Sequence, residues 1–230
     1  MRWLIPLAIA LPAGFAGAAL WDWSGLSRDD TREYLLAHPE ILPQAMDVLQ
    51  QRQETARIEP MRADLERPYP GAVLGNPNGK ITLVEFSDYA CAYCRASVAD
   101  VAALIAANPD LRVVVREYPI LRAESVDAAR MALAAAQQGR YPAFHDAMYR
   151  LGPPSAETIE AAARSAGVDL AAARQAIAQG TFDSQLRNNA GMAQVLAISG
   201  TPGWVVGKRI LQGAQGQRVI GQAVAEARPS

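Results

Sequence analysis

Two strand-like runs joined by one helix-like run constrain this chain most. Residues 81–86 read Ile-Thr-Leu-Val-Glu-Phe, residues 95–107 are helix-like, and residues 111–117 centre on Val113-Val114-Val115. Neighbouring strands joined by a single helix must run parallel, because a parallel pair needs a crossover of a dozen or more residues. The core is therefore α/β. The only two cysteines, Cys91 and Cys94, fall where the first strand gives way to the helix. Unpaired backbone N–H groups and the helix dipole at that position stabilise a thiolate. A thiolate beside a second thiol is equipped for thiol–disulfide exchange.

The bulk numbers narrow the alternatives. Half of the 230 residues are hydrophobic, enough for a substantial core, and 22 basic residues meet 23 acidic ones. With no basic face or tail and few aromatics, nucleic acid is not an expected partner. Two cysteines cannot frame a small disulfide fold, and closing a two-residue loop removes little chain entropy. A functional pair is favoured over a structural one. Arg2 precedes an uncharged run over residues 3–21 with Ala16-Gly17-Ala18 near its end. Residues 1–21 read as a signal peptide or an uncleaved membrane anchor. Pro6, Pro12 and the Gly/Ala-rich second half favour cleavage, although the run approaches the ~20 residues that span a bilayer. Either way the remainder is delivered outside the cytoplasm, where disulfide chemistry belongs.

Residues 22–58 read as an N-terminal helical segment broken at His38-Pro39, with Pro39 in the first turn of a second helix. Ile41, Leu42, Ala45, Met46 and Leu49 line one face of that helix. The face either lies on its own domain or meets copies of itself in an oligomer. Pro60 and Pro68-Tyr69-Pro70-Gly71 mark a linker over residues 59–71. The main domain spans residues 72–230, with a helical insertion over about 124–199. In that insertion Ser155 and Asp169 are candidate caps, and Gly139, Gly167 and Gly180 are candidate stops. Trp204-Val205-Val206 and Ile210-Leu211 flank Gly207-Lys208 as a hairpin, and an amphipathic helix ends the domain.

This order, with Cys91-Ala92-Tyr93-Cys94 at the first strand–helix junction and Gly200-Thr201-Pro202 before the hairpin, resembles the thioredoxin fold with a helical insertion found in the DsbA-like family. The likeness covers residues 72–228. Tyr34-Leu35-Leu36-Ala37-His38-Pro39-Glu40-Ile41-Leu42 resembles the N-terminal segment of the suppressor-of-copper-sensitivity C (ScsC) branch. The resemblance implies a protein-disulfide oxidoreductase or isomerase in which Cys91 is the nucleophile and Cys94 resolves the mixed disulfide. It implies a cis Thr201-Pro202 bond whose Thr201 backbone meets an extended substrate, and it makes Glu85 the acid beneath the cysteines. Strand alternation independently places Glu85 on the buried face with Ile81 and Leu83, where a raised pKa suits proton exchange with a thiol. Ala92 and Tyr93 tune the pair, and neither supplies the positive charge that a histidine there gives some relatives. The implied partners are protein thiols and disulfides, a membrane redox protein that resets the pair, and further copies of the chain. No cofactor and no metal site is expected.

Oxidase, reductase and isomerase would use the same residues, so the direction stays open. A second reading is an exported copper-binding or chaperone module, since two thiolates suffice for Cu(I). His145 lies on an amphipathic helix and reads as a packing or surface residue. A glutathione-dependent transferase on the same fold is disfavoured by the second cysteine.

Overall fold

A computed structural model of the chain describes residues 28–228; the apolar run at residues 1–21 lies outside them. Contact density divides the chain after Arg52. In the first unit, helix α1 (Arg28–Ala37) is followed by a turn at His38-Pro39-Glu40 and by helix α2 (Ile41–Ile58), whose last residues belong to the second unit. The break falls where expected, but Pro43 rather than Pro39 occupies the first turn of α2. Leu42, Met46 and Leu49 form an apolar stripe exposed by 53, 65 and 49 %. Among the described residues no helix is long and apolar enough to cross a membrane.

The second unit is built on a five-stranded sheet of order β1-β3-β2-β4-β5, comprising β1 (Val73–Gly75), β2 (Ile81–Ser87), β3 (Leu111–Glu117), β4 (Gly203–Val206) and β5 (Arg209–Gln212). Only β2 and β3 run parallel, in register from Ile81 opposite Leu111 to Ser87 opposite Glu117; the other pairings are antiparallel. Helix α4 (Ala92–Ala107) makes the crossover. Every residue of β2 is buried, as both faces of a central parallel strand are covered. Ile81, Leu83, Val113, Val115 and Trp204 face the larger core. Val84, Phe86, Val114 and Val205 face a smaller one closed by Ile58, Leu65, Met192 and Leu196.

Residues 59–71, read from their prolines as a linker, are ordered into the domain. A 3-10 turn (Glu59–Met61) leads into the short helix α3 (Arg62–Leu65), and Ile58 and Leu65 are fully buried. The cause is Arg116 on β3. Its buried guanidinium donates to the carbonyls of Leu65 at 2.8 Å and Arg67 at 2.6 Å, and to that of Asp64. A short helix leaves its last carbonyls without intrahelical partners, and one cation satisfies this group.

The insertion comprises α5 (Ala123–Gln137), α6 (Tyr141–Leu151), α7 (Ala156–Ser165), α8 (Leu170–Ala178) and α9 (Asp183–Val195), and helix α10 (Gly216–Glu226) follows the hairpin. Ser155 and Thr158 form a reciprocal capping box, and Asp169 accepts the N–H groups of Ala171 and Ala172. Gly139, Gly167 and Gly180 have φ of +68, +72 and +68°, the left-handed geometry that ends a helix. The short β1, against β3, carries no sequence signal of its own.

Candidate active site

Cys91 is the N-cap of α4. Its backbone is extended, and its sulfur accepts the Cys94 N–H at 3.2 Å. The Cys91 Sγ also lies 3.2 Å from the Thr201 carbonyl oxygen, and the Thr201–Pro202 bond is cis. Strand β4 follows directly, so the hairpin delivers this loop to the helix start. Both cysteines are free thiols.

The two sulfurs differ in character. Cys91 is lowered from 9.0 to about 6, first by a hydrogen bond from the Cys94 thiol, against the opposing cost of burial. The Thr201 hydroxyl and the N–H groups of Cys94 and Tyr93 add to the lowering. That hydroxyl is buried with no hydrogen bond formed among the described residues, which leaves it available to the sulfur. Cys94 is pushed strongly up because its proton serves Cys91 and because it is buried. One thiol is thus ionised at neutral pH while its neighbour stays protonated. Cys91 keeps only 4 % of its surface exposed, narrower than the open position expected of a nucleophile. The Thr201 side of the cis-proline loop closes over it. Ala92 and Tyr93 between the cysteines face solvent, Tyr93 with 67 % exposure.

Glu85 lies buried on β2, as alternation required. Burial pushes its carboxyl up to about 7; a hydrogen bond from Ser87 lowers it and the Cys91 charge raises it. An acid of that strength exchanges protons readily near neutrality. It lines a cleft of about 240 Å³ with His145 and the exposed Asp146, which gives the buried acid a space that water can fill.

The sequence reading missed a second buried carboxyl. Glu117 ends β3 beside Ser87 and accepts from Tyr141 Oη at 2.7 Å and Tyr89 Oη at 3.2 Å. Burial pushes it up to about 8. Tyr89 Oη lies 3.4 Å from His145 Nδ1, and burial lowers His145 to about 4, so this histidine is neutral. Also missed was Asp88, whose Oδ2 accepts the N–H groups of Ile120 and Leu121 while its carbonyl accepts the Cys91 N–H and the Tyr149 O–H. The signal for Glu117 was present: it keeps the same alternation as Val113 and Val115 that exposed Glu85. Among the described residues no group of three or more His, Cys, Asp or Glu is placed to hold a metal.

A sheet with a parallel β2–α4–β3 unit, a cysteine pair capping the crossover helix and a cis-proline loop against the first sulfur define a thioredoxin-fold dithiol protein. The chain matches the DSBA-like thioredoxin domain over residues 82–225, and the copper resistance protein ScsC N-terminal domain over residues 32–56. It belongs to the DsbA-like family and is a protein-disulfide oxidoreductase of that family, with an ScsC-type N-terminal segment. Among solved structures it resembles a thioredoxin-like oxidoreductase from Silicibacter pomeroyi DSS-3, with 39 % identity and a TM-score of 0.69, over 74 % of this chain and 98 % of that one. The thiol-disulfide exchange protein alpha-DsbA2 from Wolbachia pipientis shares 26 % identity at a TM-score of 0.70, over 78 % and 98 %. ScsC of Proteus mirabilis in a transitional conformation shares the fold at 23 % identity and a TM-score of 0.66, over 87 % and 94 %. No curated protein matches the chain.

Proposed function

We propose that the chain is exported to the periplasm, where it exchanges disulfides with client proteins through Cys91-Ala92-Tyr93-Cys94 and acts as an isomerase in an oligomer. The observation that carries this is Cys91 capping α4 with its sulfur accepting the Cys94 N–H at 3.2 Å, a geometry that favours an ionised Cys91 beside a protonated Cys94. The Cys91 thiolate attacks one sulfur of a client disulfide, and the other client sulfur leaves as a thiolate and takes up a proton. The resulting mixed disulfide has two fates. Either another client thiolate attacks the client sulfur, which releases Cys91 and moves the bond, or Cys94 attacks Cys91 Sγ. In the second case Glu85, as carboxylate, takes the Cys94 proton, and the client leaves reduced. A membrane redox partner then resets the pair. The Thr201 backbone beside the sulfur pairs with an extended client segment, with Pro202 shaping the loop.

The exposed Leu42, Met46 and Leu49 stripe on α2 supports self-association. The test is full-length protein against a Leu42→Glu/Met46→Glu variant, by light scattering and by reactivation of an enzyme with scrambled disulfides. Expected is an oligomer that reactivates, and a monomeric variant that still oxidises dithiols but reactivates poorly. A monomeric parent protein overturns the oligomer. Tight stoichiometric Cu(I) binding without dithiol or disulfide turnover overturns exchange in favour of a copper-binding module.

A further inference from the structure

Outside the cysteine pair lies a groove that the exchange chemistry does not use. It holds about 310 Å³ between the loop after β3 and helices α5 and α9. Tyr118, Val126 and Leu186 give it an apolar lining, and Ile120, 43 % exposed, forms its lip.

Two observations indicate what it receives. The first is a hydrogen-bonded link from its lip to the start of α4. The amides of Ile120 and Leu121 donate to Asp88 Oδ2 at 2.8 and 2.9 Å, and the Asp88 carbonyl accepts the Cys91 N–H at 3.0 Å. One residue therefore positions both the lip and the nucleophile. The second is charge. Arg130 is matched by Asp183 at 3.0 Å and Asp127 at 3.6 Å. Arg187 on α9 is exposed at the groove edge and has no ion pair or hydrogen bond among the described residues. A surplus cation at the rim of an apolar trough complements an aliphatic side chain followed by a carboxylate.

We propose that this groove binds the client segment flanking the reacting cysteine, with an aliphatic residue against Ile120 and Leu186 and an Asp or Glu on Arg187. The proposal rests on the exchange reading above and adds a substrate class to it: segments that are apolar and acidic beside the cysteine. Chemically, the client thiolate attacks Cys91 Sγ in the oxidised protein, and the Cys91–Cys94 bond breaks. Cys94 leaves and takes up a proton, and a client–Cys91 disulfide forms.

The test measures how fast full-length oxidised protein reacts with two cysteine peptides, one with Leu and Glu on both sides of the cysteine and one with Leu and Lys. Dithiothreitol, which has no flanking segment, is the reference. The acidic peptide is expected to react roughly two- to five-fold faster, the span of an exposed ion pair. Arg187→Glu should reverse that order. Ala190→Trp, which fills the groove, should slow both peptides, and both variants should keep the dithiothreitol rate. Arg218→Glu, on α10, controls for overall charge and should keep the parent preference. Equal peptide rates in the parent, a preference that survives Arg187→Glu, or one equally reversed by Arg218→Glu overturns the groove proposal. Failure of dithiothreitol itself to reduce the pair overturns the exchange reading instead.

Discussion

Reduction of the cysteine pair should make stability depend on pH in a way the disulfide form does not share. In the folded dithiol Cys91 titrates at about 6, against 9.0 for an ordinary thiol. A lowered pKa of this sign contributes stability above the unfolded value, and the contribution is lost as pH falls through the folded one. With these two values, the contribution is close to zero at pH 5, about 1.4 kcal/mol at pH 7 and about 2.7 kcal/mol at pH 8. Cys94 remains protonated throughout this range and adds almost nothing. Glu85, Glu117 and His145 are present in both redox forms, so their contributions largely cancel in the comparison. The crosslink adds an offset that does not vary with pH. Guanidinium unfolding of both forms at pH 5, 7 and 8 is the assay. Stability of the reduced form minus that of the oxidised form should rise by about 1.4 kcal/mol between pH 5 and 7, then by about 1.3 more to pH 8. A difference flat with pH, or one that falls, refutes the reasoning.

Replacing the buried acid should stabilise the protein while impairing it. An acid raised from 4.5 to about 7 costs stability above its unfolded value, so Glu85→Leu should gain about 3 kcal/mol at pH 8 and almost nothing at pH 4, by urea titration. The same variant should accumulate the mixed disulfide in a quenched-gel assay, because Cys94 would then lack the proton acceptor proposed for it. Tyr141→Phe removes the shorter hydrogen bond to Glu117 and should cost about 1–3 kcal/mol, with the Glu117 midpoint moving above about 8 in a carboxyl-resolved NMR titration. Arg116→Met strands buried carbonyls at the end of α3 and should cost about 3 kcal/mol or more; an unchanged melting temperature would show that water replaces the guanidinium.

Local patterns carried most of the architecture. The 81–86 and 111–117 runs became β2 and β3 because continuous β-branched and apolar residues suit strands covered on both faces. Ser155, Asp169 and the helix-ending glycines marked the insertion because capping is decided within three or four residues. Glu85 was legible for the same reason, since alternation is a local rule. Features decided by distant contacts were not. The prolines of residues 59–71 indicated a linker, yet Arg116, some fifty residues on, binds that stretch into the domain. Arginine within a strand gives no hint of which carbonyls it will meet. Asp88, Tyr89, Tyr141 and His145 likewise acquire their places only when the insertion folds over the sheet. The narrow exposure of Cys91 depends on a loop more than a hundred residues away.

The most direct measurement is the pH dependence of Cys91 alkylation by iodoacetamide in the reduced full-length protein, with the modified residue assigned by mass spectrometry. Modification should reach half its maximal rate near pH 6, with Cys94 untouched. A midpoint near the 9.0 of an ordinary thiol, or equal labelling of both cysteines, would contradict an ionised nucleophile at the start of α4.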